Sequence, residues 1–208
     1  MNHMEKGTPG GRWNMDRDPQ HDAALYNVRI IKTYVEYLEK YYPDVNIDDV
    51  LHDIGMTRGD LDDPGVWYTQ HVADRFQEII RSKTRNPWIA RDAGRYVASS
   101  RAYKVIREYI HGVIGPGTAY GILPSIHSKV SRSSKLSVRN IGRCTREVTT
   151  VPLPGVVEKP YQCENRTGQF EAMARIFTGQ YARVEHPECI HRNGACCRYI
   201  VSWREPLF

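Results

Sequence analysis

Three cysteines and a histidine crowd the carboxyl-terminal part of the chain: Cys163, His186, Cys189 and Cys197, separated by twenty-two, two and seven residues. Thiolate and imidazole are soft to borderline donors, and ligands drawn from a loop and the two ends of a hairpin suit that spacing, so the expected chemistry is a closed structural zinc site. With all four positions occupied by protein there is no room for a catalytic water, which favours a clamp over a hydrolase. The plainer alternative is that the cysteines are small buried hydrophobes. His186 three residues before Cys189, and Gly194 in the turn that follows, favour the ion site.

The elements that must position these residues follow from periodicity. Tyr181 to Glu185 and Arg198 to Trp203 read as two strands joined by the loop that carries His186, Cys189 and Gly194. Asn165 is expected to cap a helix through Phe170, Met173, Ile176 and Phe177 that ends at Gly179, leaving Cys163 in a loop before it. Leu136 with Val138 and Glu147 to Val151 alternate as a hairpin about Gly142. Upstream the period is helical. Leu25, Val28, Ile31, Val35 and Leu38 form a first helix from Asp22 to Pro43, Asn46 caps a second that ends before Gly55, and Thr69 caps a third. Asn86-Pro87 opens a fourth, Ser100 a fifth, and a sixth covers Tyr120, Leu123, Ile126 and Val130, with Gly115-Pro116-Gly117 as a connecting turn. Helices first and mostly antiparallel strands later predict an α+β fold: N-terminal helices packed on a small sheet with a zinc-clamped C-terminal hairpin.

The chain of 208 residues is long enough for one sizeable core. Residues 1–21 read as a disordered leader or tag, 22–98 as a helical part and 99–208 as an α+β sensing core with the metal site. Five cysteines, an odd number gathered late in a chain without a secretory apolar run, argue for a reducing compartment, and the cytoplasm is the expected location. No apolar run approaches membrane-spanning length. The net charge of +5 is modest and interspersed with acidic residues, as on a solvated surface.

The stretch CENRTGQFEAMARIFTG, followed by YARVEHPECIHRNGACCRYIVSW, resembles the 4-vinyl-reductase-type domain, best known as the input domain of phenol- and toluene-responsive bacterial transcription activators. The resemblance runs over roughly residues 155–204. It implies that Cys163 is the first zinc ligand and Cys189 and Cys197 the later pair, with His186 where the family has an acidic residue and Glu185 or Glu188 as possible substitutes. Cys196 is then spare, because the family ligand directly precedes an Arg-Tyr pair. The segment LHDIGMTRGDLDDPGVWYTQHVADRFQEIIRSKTRNPWIARDAGRY is similar to the helical start of AraC-type effector domains. Together these resemblances imply one sensory unit, of a broad fold shared with haem nitric-oxide sensors and vesicle-tethering subunits, in which fold alone decides no ligand.

Tyr103, Tyr109, His111, Tyr120 and Phe170 are the candidates to line a pocket for a small apolar or aromatic effector, although aromatics at such spacing are more often core. The Tyr-x-Ser-x-Arg signature of haem nitric-oxide sensors is not matched by Tyr96, Ser99, Ser100 and Arg101, which argues against haem. The two short helices around Gly55 carry Asp60, Asp62 and Asp63 where a DNA reader would need cations, so no direct nucleic-acid contact is expected. No nucleophile elbow, phosphate loop or dinucleotide fingerprint appears, and the chain is expected not to be an enzyme. The expected function is a small-molecule-sensing input domain of a bacterial regulator. It would form a homodimer through the tyrosine-rich first helix (Tyr34, Tyr37, Tyr41, Tyr42) and act on an output domain beyond Phe208. A scaffold domain with a filled core, or a metalloenzyme, is the alternative.

Overall fold

The computed structural model describes residues 23–105, 108 and 115–204. Tyr109, His111, the leader and the last four residues lie outside them. The first departure from the expected helix is local. Ala24–Asn27 is a strand, β1, paired antiparallel with β2 (Trp67–Thr69). Asn27 ends it, because its Oδ1 accepts from the Arg29 amide at 3.2 Å while its Nδ2 donates to the Pro64 carbonyl at 2.9 Å. Helix α1 (Arg29–Tyr41) therefore starts seven residues later than apolar periodicity alone suggests.

Two caps fall where the sequence places them. Asn46 accepts from Asp48 and Asp49 to open α2 (Ile47–His52), and Thr69 accepts from Val72 to open α4 (Gln70–Thr84). Between them α3 (Arg58–Asp62) starts on a Thr57–Asp60 capping box. Asn86 Oδ1 accepts from the Trp88 amide at 2.8 Å ahead of α5 (Ile89–Tyr96), and Ser100 caps a 3₁₀ turn, Arg101–Tyr103, that continues as α-helix at residues 104–105. The segment expected as one helix around Tyr120 is two, α6 (Gly115–Gly121) and α7 (Leu123–Ser128). Pro124 in the first turn of α7 favours a fresh start there, and Gly115-Pro116-Gly117 belongs to α6, not to a connecting turn.

Strands β3 (Ser134–Gly142) and β4 (Thr145–Pro152) form the expected hairpin, and β5 (Arg183–Glu188) with β6 (Cys197–Ser202) completes an antiparallel sheet of order β3-β4-β6-β5. Helix α8 (Pro160–Thr178) lies between this sheet and α5. It begins at Pro160, five residues before the expected cap, so Cys163 is in its first turn and not in a loop. Gly179, at φ 71°, closes it as expected.

Buried apolar residues divide into two groups. One runs from Leu25 to Ala93 through β1, β2 and α1–α5, and the other from Ala119 to Trp203 through α6–α8 and the sheet. Helix α5 meets α8 backbone to backbone at Gly94 and Gly168. A methyl group on Gly168 would run into the Arg91 carbonyl, and one on Gly94 into the Asn165 carbonyl. The crossing is held by Glu171, which accepts from Arg91 and from Arg95 Nε at 2.5 Å. Gly168→Ala is accordingly expected to destabilise the fold by about 1–3 kcal/mol through overpacking against backbone that cannot yield, measured as a lower urea midpoint. An unchanged midpoint would show that the helices can separate at no cost.

Candidate functional site

Helix α8 delivers side chains to two places. At its first turn Cys163 meets Cys197 at the start of β6 and Cys189 just past β5, with Sγ–Sγ separations of 3.5 Å (163–197), 4.0 Å (163–189) and 3.9 Å (189–197). His186 of β5 completes the group, and all four donor atoms lie within 4.8 Å of one another. The three cysteines are buried and His186 half-buried. The imidazole stacks on the Tyr199 ring at 4.1 Å, and its Nε2 is buried without a hydrogen-bond partner among the described residues. Gly194 is required beside it, since a Cβ there would press on the Cys189 backbone. The hydrogen bond between the Cys163 and Cys197 sulfurs raises the pKa of Cys163 and holds that of Cys197 well below the usual thiol range. Glu188 is turned away, paired with Arg198 at 2.8 Å and accepting from the Ala195 amide at 3.1 Å, and the exposed Glu185 pairs with Arg183 at 3.0 Å. His186, not either glutamate, therefore joins the cysteines. Cys196 is outside the group, beside Glu188 and Arg198.

From the same first turn onward, another face of α8 borders a divided interior cavity. One lobe, about 70 Å³, lies among Tyr26, Ile31, Tyr34, Tyr68, Phe76 and Gln162. The other, also about 70 Å³, is walled by Tyr103, Leu123, Ile126, Leu136, Phe170 and Met173. His127, Val130, Arg166 and Gln169 border both lobes and so form the partition. Of the expected pocket residues, Tyr103 and Phe170 line the second lobe. Tyr120 lines neither: it is fully buried, stacked on Trp203 at 5.0 Å, and its hydroxyl donates to the Phe170 carbonyl at 2.7 Å. Tyr34 is core as well, receiving a hydrogen bond from Asn165 at 3.0 Å, while Tyr41 is the exposed member of its group.

The partition is the part that sequence reading missed. Arg166 is buried, pairs through Nη2 with Glu158, and reaches Ser134 Oγ at 3.2 Å, yet its Nη1 has no partner among the described residues. Its one visible signal was a charged residue three positions after Cys163 and four before Phe170, on a stripe that is otherwise apolar. Behind the first lobe runs a polar ladder. Gln162 donates to Tyr26 Oη and Tyr26 donates to Gln70, both at 2.5 Å, and Gln70 and Tyr161 donate to Asp74 at 2.7 and 2.9 Å. His127 Nε2 lies 3.1 Å from the Ser134 carbonyl oxygen, which can only accept, so Nε2 carries the proton of a neutral imidazole. Burial, with the Arg166 charge adding to it, lowers the His127 pKa to about 4.

No family model matches the sequence, and no curated protein matches it. Solved structures do. One is an oxygen-binding H-NOX domain related to soluble guanylate cyclases, in its oxygen complex, at 15% identity and a TM-score of 0.65, covering 86% of this chain and 95% of that one. A second is an H-NOX protein from S. oneidensis in the Fe(II)NO ligation state, at 9% identity and a TM-score of 0.67, covering 86% and 99%. A third, from work on haem distortion in the H-NOX family, has 16% identity and a TM-score of 0.61, covering 86% and 95%.

The chain has the H-NOX fold.

This corrects two expectations. The resemblance to the 4-vinyl-reductase-type domain, with its AraC-type helical extension, gives way to H-NOX domains as the matching structures. The structural zinc expected alongside that resemblance falls too: these neighbours are described by haem and its gas ligands, and what the structure shows is a Cys/His donor group. The α+β class, with helices beside a small antiparallel sheet, stands. Among the described residues no helix is long and apolar enough to cross a membrane.

His127 sets a pH dependence. Its folded pKa of about 4 lies below the unfolded value near 6.5, so the unfolded chain takes up a proton first as pH falls. Stability is expected to be full above about pH 6.5 and to decline by about 3 kcal/mol on the way to pH 4 from this group alone. In His127→Gln the fall in urea-unfolding free energy between those pH values should be smaller by that amount. An identical pH profile in the variant would refute the assignment.

Proposed function

We propose that the chain is a small-molecule-sensing domain that accepts a small organic molecule in the divided cavity and performs no reaction on it. The observation that carries this reading is the second lobe, an interior space walled by Leu123, Ile126, Leu136, Phe170 and Met173 of the second apolar group. Preserving such a space forgoes dispersion contacts that a scaffold with a filled core would keep. Among the described residues its walls bring no nucleophile together with a base, which favours binding over catalysis. An apolar effector suits those walls.

The haem named for the structural neighbours does not fit the described residues. Lobes of about 70 Å³ are several-fold smaller than the ~300–1,000 Å³ pockets that bury drug-sized ligands, and His127, Val130, Arg166 and Gln169 stand between them, so neither lobe has room for a macrocycle. His127 is the histidine on the described walls, and its Nε2 is engaged with Ser134. Hemin titrated into the purified chain should give no stoichiometric shift of its Soret band. Saturating cyclohexane should raise the thermal midpoint by linkage, and Met173→Trp, which fills the second lobe, should abolish that rise. Stoichiometric hemin binding, or a midpoint indifferent to cyclohexane, would overturn the reading.

The Cys163, His186, Cys189 and Cys197 group is proposed separately as a site for a metal cation. Three converging sulfur atoms and an unpartnered buried imidazole nitrogen support it. A cation there would tie the start of α8 to β5 and β6 and add its binding free energy to folding. Elemental analysis of fresh protein should find one equivalent of metal per chain. Cys189→Ser should lose that metal and several degrees of thermal midpoint, whereas an unchanged midpoint and no metal in the parent chain would remove the site.

A further inference from the structure

Among the described residues Arg166 is the one charged side chain that borders both lobes, and its environment specifies what it lacks. The residue is 7% exposed. Its Nη2 is engaged by Glu158 and Ser134, while Nη1 is buried with no acceptor among the described residues. A guanidinium N–H removed from water without a partner is unfavourable, and an acceptor in the cavity would relieve it. The charge of that acceptor is constrained by Glu158, whose side chain is wholly buried and already balances Arg166. A ligand carboxylate would leave an excess negative charge in the interior, but a neutral oxygen adds none. Beyond Arg166 the second lobe offers mainly carbon, from Leu123, Phe170 and Met173 among others.

Resting on the sensing reading above, we propose that the ligand is a neutral, apolar molecule bearing a single oxygen acceptor, of the ketone or aldehyde class. Its oxygen accepts from Arg166 Nη1 while its hydrocarbon body fills the second lobe. Arg166 is then the residue that sets specificity, and the helix that presents it also presents Phe170 and Met173 to the body of the ligand.

Three probes of similar size separate the possibilities: cyclohexanone, methylenecyclohexane, in which a CH₂ replaces the oxygen, and cyclohexanecarboxylate. Calorimetric titration of the full chain should rank cyclohexanone above cyclohexanecarboxylate. The affinity ratio of cyclohexanone to methylenecyclohexane should fall roughly tenfold or more in Arg166→Lys, which keeps a cation for Glu158 but has no second guanidinium nitrogen. Should that variant not fold, ¹⁵N spectra of the parent guanidinium decide: cyclohexanone should move the Arg166 Nη resonances and methylenecyclohexane should not. A ratio unchanged in the variant, equal shifts from both neutral probes, or tightest binding of the carboxylate would overturn the assignment while leaving the cavity a binding site. Failure of all three probes to bind would overturn the sensing reading and this inference together.

Discussion

The contact between α5 and α8 governs the arrangement of the rest. Two glycines let the helix backbones touch, and a buried carboxylate with two arginines fixes their rotation, so one face of α8 is committed to α5 along much of its length. The remaining faces are left for the sheet, the cavity and the cysteine group. Gln162, Cys163, Arg166, Thr167, Phe170, Glu171, Ala172, Met173 and Ala174 are all buried on this one helix, which has no solvent face over its middle turns. A helix buried on every side carries no single apolar stripe. It must hydrogen-bond its own polar side chains internally, as Thr167 does to the Cys163 carbonyl at 2.9 Å and Asn165 to the Ala90 carbonyl at 3.0 Å.

That requirement explains the polar material around the first lobe. Tyr26, Gln70, Asp74, Tyr161 and Gln162 come from three separate elements and satisfy one another in sequence, a pattern that fixes the register of β1, α4 and α8 without filling the space between them. The Arg166–Glu158 pair is a different case. Removing both charges from water costs several kcal/mol per ion, and pairing recovers this only when the remaining donors and acceptors are met. Here Nη1 of Arg166 and Oε2 of Glu158 both lack partners. Apolar residues of the same volume would give a more stable core, so the pair is better understood through what it presents to the cavity than through what it adds to folding.

Legibility in the sequence followed the range of the interactions. Asn46, Thr69 and Gly179 act within a turn of where they stand, and each was readable. Strand alternation in β3, β4 and β6 was readable from buried positions that recur every second residue, whereas β5 runs past the expected Glu185 to Glu188 and takes His186 out of the loop. The misplacements had non-local causes. Leu25 and Tyr26 share a helical period with Val28 and Ile31, but pairing with Trp67–Thr69 and bridging to Ser131 draw them into a strand. Asn165 has the chemistry of a cap, yet Pro160 starts the helix one turn earlier and Asn165 turns to Tyr34 and Ala90 instead. The cysteine group was legible from donor type and spacing, while the family and the zinc attached to it were not. The cavity partition was out of reach, because nothing near Arg166 or His127 in the chain reveals that Glu158 and Ser134 will be their partners.

The cysteine group and the cavity are joined by a short stretch of buried structure. Cys163 and Arg166 are one turn apart on α8, and Tyr199 of β6 lies against both His186 and Phe170, with ring centroids at 4.1 and 5.1 Å. A change in either place meets the same rigid helix, already fixed on its other side by Gly94 and Glu171, so α8 has little freedom to absorb it locally. The entry to β5 is tied to α8 by the Ala182 amide, which donates to the Glu171 carbonyl at 3.0 Å, while Tyr120 of α6 reaches the helix through its hydroxyl. The contact between α5 and α8 is thus the frame that the cavity and the cysteine group share.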